Sequence, residues 1–442
     1  MTPELLTLLM LSGLIILVFL GFPIAFTLTG LSVIFGLIGW GTGVVNLLGT
    51  RASAVMTNFA FLAIPLFIFM GCMMQRSGLA ESAFGVLNQW LRKKRGGLGL
   101  AAVGLCLLFA ACTGVIGAAV TTTALMVIKP MLDAGYSKSL TTGLVAAGGS
   151  LGILLPPSVM LIVYGPVANV SIIDLFAAAI PPGLLLALFY ALYVLFIGYF
   201  KKGVVPEVTK DDDDNYVPQY TPKDAFIAFV PFVALIFGVL GVIFFGIAAP
   251  TEAAAVGALG SIIIAAIGKK CSFEALKGAA LDTMRASTMV MFVALAASLY
   301  TGVFFGIGGN RVVSNFLINS GFGAWGSFTF LLVVVFLLAK FLDWLGIVLI
   351  VVPIFLPVMV GFGFDALWVS MVIIVLLQTS FLTPPFAYAI FYVRGVAPPD
   401  VTLGDIYRGV VPFVIMQLVA VGAVIAFPTL VTFLPALLRG WG

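Results

Sequence analysis

The 442-residue chain contains no histidine and few charges, 9% of its residues against 62% hydrophobic. Without histidine there are no imidazole metal ligands, no Ser-His-Asp triad and no histidine proton relay. The shortage of charge, about a third of what soluble domains carry, and a mean hydropathy of +1.24 exclude a water-soluble fold. Cysteine is scarce too: Cys72, Cys106, Cys112 and Cys271 form no CxxC pair and read as small buried hydrophobes. The net charge of +4 is not gathered on a soluble face, so nucleic acid is not expected as a partner. Buried acids are almost lacking, which leaves no converging nucleophile, acid and base for an enzyme, and no organic cofactor is expected.

What is present is long apolar runs, such as 226–249 and 328–339. These are unbroken rather than alternating, which favours helices over barrel strands and predicts an all-α polytopic membrane protein in a lipid bilayer. A span needs about 20 apolar residues, so the length accommodates roughly 11 to 14 crossing or re-entrant segments. Spans are predicted near 5–20, 23–40, 58–75, 139–165, 175–200, 225–247, 252–268, 288–308, 367–393 and 410–437. Two further stretches, about 97–128 and 325–356, are too long for one straight span. Each carries a polar break with glycine at its middle, Thr113-Gly114 and Asp343-Trp344-Leu345-Gly346, and each predicts a re-entrant helical hairpin. With the N-terminus outside, this layout puts 17 of the 21 basic residues inside; Arg51, Arg311 and Arg439 fall outside and Lys340 at membrane depth. Counting either hairpin as a single crossing inverts everything after it and destroys that bias.

The polar linker 201–223 holds Asp211, Asp212, Asp213 and Asp214, which read as a solvated connection, a calcium site being the alternative. The basic stretches 89–95 and 269–285 have apolar residues at helical spacing and suit helices lying in the membrane interface. Glu252 follows Pro250 at a helix start, where its charge complements the helix dipole and the Thr251 hydroxyl is expected to cap.

The two halves repeat. Gly135 to Tyr164 matches Gly363 to Tyr392 at an offset of 228, with Pro156-Pro157 and Pro384-Pro385 in register. By the charge count the first hairpin enters from inside and the second from outside, so the repeats are inverted. Two successive prolines unwind a helix and free carbonyls, which at bilayer depth cost several kcal/mol each unless bound. Paired breaks of this kind in inverted halves point to the binding site of a secondary transporter, with sodium the natural guest; kinks satisfied by neighbouring Ser or Thr are the alternative. Hairpin tips offer N–H groups and the positive dipole end, suited to an organic anion. Expected substrate contacts are Gly114, Gly149, Ser150, Asp343 and Thr379. Thr121, Thr122 and Thr123 suit back-bonding to carbonyls better than a ligand set. Asp343 lies three residues after Lys340, so the two either neutralise one another or Asp343 handles cation or substrate.

These features together resemble the large membrane (M) subunit of the tripartite ATP-independent periplasmic (TRAP) transporters. The resemblance runs essentially end to end. It is carried by Gly152-Ile153-Leu154-Leu155-Pro156-Pro157-Ser158, Pro250-Thr251-Glu252-Ala253-Ala254-Ala255, Phe341-Leu342-Asp343 followed by Pro353-Ile354-Phe355-Leu356-Pro357, and Leu382-Thr383-Pro384-Pro385. It implies a sodium-driven, elevator-type importer of organic acids such as C4-dicarboxylates, sialic acid or sugar acids, in the bacterial inner membrane with both termini periplasmic. A separate small four-helix Q subunit and a periplasmic substrate-binding protein are the implied partners; residue 1 begins almost at the first span, leaving no room for fused helices. The resemblance maps one sodium site to Thr113, Gly152, Leu155 and Pro157, and a second to Ala339, Ser380, Thr383 and Phe386. Family members often have Ser-Gly-Ser where this chain has Thr113-Gly114-Val115, and glycine where it has Ser380. The implied division is scaffold 1–75, transport repeat 76–174, scaffold and linker 175–286, transport repeat 287–404 and scaffold helix 405–442. A lone sodium-coupled anion carrier without receptor or small subunit is the alternative.

Overall fold

The computed structural model describes residues 2–91, 93–201, 203–206 and 220–440; Lys210 and the run Asp211 to Asp214 lie outside the described residues. Among the described residues there is no strand. Nine helices there are long and apolar enough to cross a bilayer, or ten when the bent pair Lys138–Leu154 and Val159–Ala168 is taken as one span. With the family evidence given below, this is a multi-pass membrane protein.

Short polar residues set where helices begin. Ser137 and Ser171 accept the N–H groups of Leu140 and Asp174. Thr221 with Asp224, and Thr402 with Asp405, form reciprocal capping boxes. Each satisfies orphan N–H groups, and such caps contribute about 1 kcal/mol. At the start of Pro250–Ile267 the expectation for Thr251 fails: the Glu252 carboxylate accepts the Ala249 N–H at 2.9 Å, and the Thr251 hydroxyl makes no hydrogen bond. Pro250 occupies the first helical position, so Thr251 is already inside the helix and past the cap.

The helices pack in two groups. In one, Ala63–Arg76 lies along Pro250–Ile267, and Phe273–Gly306 crosses Ile24–Trp40, Val44–Met56 and Ala63–Arg76. In the other, Lys138–Leu154 is surrounded by Gly97–Thr113, Ile116–Asp133 and Leu403–Ala426. Backbones touch there: a Cβ added to Gly143 would lie 2.2 Å from the Gly409 carbonyl oxygen, and one on Gly409 2.1 Å from that of Ser139. Lipid offers little hydrophobic drive between helices, so close approach through small residues does the work instead. Large side chains such as Phe226, Phe237, Leu259 and Ile263 are left exposed, as lipid-facing positions require. The ion pairs Arg76–Asp282, Lys138–Asp400 and Arg439–Asp174 sit where water screens them and contribute little.

Several expected boundaries move. The basic stretch 269–285 is not a separate interfacial helix but the first turns of Phe273–Gly306, because Ser272 caps it and no glycine-proline break follows. The stretch 89–95 overlaps Leu79–Leu91, which ends before the basic run. The predicted last span divides into Leu403–Ala426 and Thr429–Arg439, since Pro428 interrupts it. Val44–Met56 and Gly309–Asn319 were not anticipated as helices; each mixes polar with apolar residues too evenly for a span. Ile172–Phe200 packs on Thr429–Arg439 and also touches Leu403–Ala426, Gly97–Thr113 and Lys138–Leu154, while Leu403–Ala426 lies along Lys138–Leu154.

Candidate functional site

Each hairpin is two antiparallel arms about a polar tip. Gly97–Thr113 and Ile116–Asp133 meet at Gly114, whose φ of 58° is a left-handed conformation that glycine adopts without strain. Gly323–Leu338 and Trp344–Gly361 are joined through 339–343, and Asp343 accepts the Trp344 N–H at 2.8 Å to start the second arm.

Each tip faces a broken helix. The first runs Lys138–Leu154, breaks at Leu155-Pro156-Pro157, and resumes as Val159–Ala168 at 44°. The second runs Ala366–Leu377, tightens into a 3-10 turn at Gln378–Phe381, and resumes as Tyr388–Val396. Both double prolines have cis bonds between the two prolines. The break has a local cause. Pro156 and Pro157 lack the N–H groups that would bond the carbonyls of Gly152 and Ile153, and Pro384 and Pro385 do the same to Ser380 and Phe381. Ser158 repairs one, its hydroxyl donating to the Ile153 carbonyl.

The first expected cation region is brought together. A Cβ on Gly152 would lie 3.3 Å from Thr113 Oγ1, and one on Gly114 3.2 Å from the Pro157 carbonyl oxygen. Leu155 closes the last helical bond to Leu151 at 2.9 Å and then turns into extended backbone. Thr113 is buried and donates its hydroxyl proton to Phe109 at 3.0 Å, which leaves its oxygen lone pairs for a guest. The second region is also assembled: Phe386 donates its N–H to the Lys340 carbonyl at 3.2 Å, beside buried Ala339. The Thr379 and Ser380 hydroxyls donate to Leu376 at 2.8 Å and Leu377 at 2.7 Å, and Thr383 donates to the Thr379 carbonyl. Carbonyls and back-bonded hydroxyls present oxygen without charge, a donor set that fits a monovalent cation.

Other expected contacts lie differently. A Cβ on Gly149 would meet Val120 Cα at 2.8 Å, so Gly149 packs the helix on the hairpin arm. Ser150 is fully buried and back-bonded to Ala147 at 2.7 Å. Asp343 is 9% exposed at the second tip. Lys340 does not pair with it. The helix ends before Lys340, which removes the same-face spacing, and its ammonium sits 3.9 Å over the Phe336 ring without a hydrogen-bond partner. The two halves interlock where Tyr392 covers Gly117: a Cβ there would lie 2.8 Å from the ring.

Gln378 was missed. It is fully buried at the second break, and neither its amide nitrogen nor its oxygen has a partner, an arrangement that costs free energy unless something bonds them. Its signal was its position, a long polar side chain two residues ahead of Ser380 inside an apolar run. Also unforeseen is a cavity of about 920 Å³ away from both breaks, lined by Arg51 and by the second arm from Leu349 to Phe362.

The comparisons agree with this architecture. The sequence is 30% identical over 445 residues to the sialic acid TRAP transporter large permease protein SiaM of Vibrio cholerae, covering 96% of this chain and 97% of that one. It is 28% identical over 393 residues to the C4-dicarboxylate TRAP transporter large permease protein DctM of Pseudomonas aeruginosa, covering 89% and 88%. Among solved structures, the YdaH transporter of Alcanivorax borkumensis superposes with a TM-score of 0.60 at 14% identity, covering 96% of this chain and 99% of that one. MtrF of Neisseria gonorrhoeae does so with 0.58 at 14%, covering 87% and 83%; at such identity these two show a shared fold. The model of the tripartite ATP-independent periplasmic transporter, DctM component, matches residues 11–430, and the chain belongs to that family of large permease proteins.

Proposed function

We propose that this chain is the permease of a sodium-coupled secondary importer of organic acids, fed by a periplasmic binding protein and braced by a separate small membrane subunit in the bacterial inner membrane. The observation that carries the proposal is the pairing of each hairpin tip with its own unwound helix, Gly114 on Pro157 and Lys340 on Phe386. Sodium is taken up at Thr113, Gly152, Leu155 and Pro157 and at Ala339, Ser380, Thr383 and Phe386. The anion sits between the tips, near Gly114, Asp343 and Thr379, with the Gln378 amide available to it. The halves are inverted in the membrane and both termini are periplasmic.

Movement is of elevator type. The hairpins and broken helices slide as a body against the group built on Ala63–Arg76, Pro250–Ile267 and Phe273–Gly306. Support for the moving body comes from packing: the Gly143–Gly409 contact ties Leu403–Ala426 to Lys138–Leu154, and Ile172–Phe200 follows both. Relatives named for sialic acid, C4-dicarboxylates and ectoine support organic solutes as the class carried.

The test is uptake of labelled sialate and succinate by proteoliposomes containing the chain with its neighbouring small subunit and binding protein. Uptake is expected only with an inward sodium gradient and only with both partners. Uptake driven by a pH gradient without sodium would overturn the coupling, and undiminished uptake by the chain alone would show a self-sufficient carrier.

A further inference from the structure

The cavity of about 920 Å³ contains no residue of either break. It lies between Val44–Met56, Phe273–Gly306 and Gly309–Asn319 on one side and the second hairpin's arm Trp344–Gly361 with the end of Val159–Ala168 on the other. Its volume suits a small organic molecule. Arg51 is its single cation, and no carboxylate lines it. The Arg51 side chain crosses Gly302, where a Cβ would lie 2.9 Å from its Nε. Among the described residues Arg51 has no ion pair, and no side-chain hydrogen bond of it is found. The cavity is also lined by the amide side chains Asn58, Asn169 and Asn310 and by Ser298 and Ser314. Asn58 uses its oxygen to accept the Ala60 N–H at 3.0 Å, which leaves its amide protons to donate. Leu349 and Pro353 also line the cavity, and theirs are the carbonyls that Pro353 and Pro357 deprive of helical donors.

An unpaired guanidinium in a partly enclosed space calls for an anion. With one cation and no second, a dianion would leave half its charge uncompensated. Amides, hydroxyls and freed carbonyls, by contrast, match a solute with several hydroxyl or amide groups. The geometry points to a second solute site here, an antechamber in which Arg51 holds the single carboxylate of a polyhydroxylated or amide-bearing acid before it reaches the hairpin tips. This rests on the importer reading, with Arg51 on the periplasmic side, and deepens it by naming the class of substrate.

The test reads the cavity without transport. In the full-length chain with Cys271→Ser, Ser298→Cys places a thiol in the cavity; Cys72, Cys106 and Cys112 are buried. In proteoliposomes without a sodium gradient, labelling by anionic and cationic methanethiosulfonates is compared. Arg51 is expected to favour the anionic reagent, and Arg51→Gln to lower the anionic-to-cationic ratio about tenfold, the range of one charge-assisted contact. Sialate or gluconate is expected to slow labelling and succinate not to, with protection lost in Arg51→Gln and partly kept in Arg51→Lys. A ratio unmoved by Arg51→Gln, protection by neither monoanion, or equal protection by succinate overturns the inference. Ser314→Cys, on a different helix, repeats the measurement where Ser298→Cys fails to fold. Sodium-driven uptake with no protection sinks the antechamber alone; protection without sodium-driven uptake sinks the coupling and spares the antechamber.

Discussion

Gly152→Ala separates a cation site from ordinary packing. The added methyl would lie 3.3 Å from Thr113 Oγ1 and 3.5 Å from Ala110 Cα and Ala119 Cβ. Those are tight but tolerable contacts, and alanine in a helix is favoured over glycine by about 1 kcal/mol. Stability is therefore expected to change by less than about 1 kcal/mol, since the gain in propensity and the mild crowding oppose each other. The same methyl occupies the space between the Thr113 hydroxyl and the unbonded Gly152 carbonyl turn, where a cation would sit. Sodium titration of uptake is expected to show half-saturation raised by about tenfold or more, equivalent to about 1.4 kcal/mol, with the melting temperature of the purified chain little changed. Thr113→Val should act in the same direction and Thr113→Ser should not, because only the former removes the oxygen. A native sodium curve in Gly152→Ala would refute the assignment. A collapsed melting temperature would show that Gly152 is a packing residue like Gly149, where the corresponding methyl meets Val120 Cα at 2.8 Å.

Three further outcomes follow from the geometry. Gly143→Ala drives a methyl to within 2.2 Å of the Gly409 carbonyl oxygen and is expected to destabilise by about 1 to 3 kcal/mol, read as a lower melting temperature with Leu403–Ala426 the first segment to lose hydrogen-exchange protection. Glu252→Ala removes the acceptor of the Ala249 N–H and should cost about 1 kcal/mol, whereas Thr251→Val, which removes a hydroxyl with no partner, should cost nothing or stabilise in a thermal melt. The Lys138 ammonium, 2.9 Å from Asp400, holds that carboxyl below its ordinary value. A depressed folded value means the contribution, small for so exposed a pair, is present at neutral pH and is lost as pH falls through the acid range to that value, so native and Asp400→Asn melting temperatures should differ only slightly at pH 7 and converge in acid.

The backbone breaks and hairpin tips of the candidate site were legible because their causes are local. A double proline removes two N–H groups whatever surrounds it, so Gly152 and Ser380 lose their donors by position alone. Thr113-Gly114 and the stretch before Asp343 mark the tips for the same kind of reason. What depends on distant contacts was not legible. Helices apolar on all sides carry no moment to say which face packs, so the pairing of Lys138–Leu154 with Leu403–Ala426 was hidden, and so was the burial of Gly149 against Val120. Lys340 and Asp343 share a face only if the helix continues, and it does not. Arg51 looked like a residue of an outer loop; only the fold brings Phe273–Gly306 and the second hairpin to either side of it.

One contact joins the two helix groups more closely than side chains would permit. A Cβ on Gly71, in Ala63–Arg76, would lie 2.6 Å from the Thr113 carbonyl oxygen and 2.7 Å from its Cα. One turn to either side that helix carries Phe67 and Ile68, then Met74 and Gln75. The first tip thus rests in a notch one residue wide on an otherwise knobbed rail. If the sliding proposed above runs along this helix, displacement by a few ångströms would bring the tip's backbone against a bulky neighbour, so intermediate stops would be sterically penalised and discrete end positions favoured.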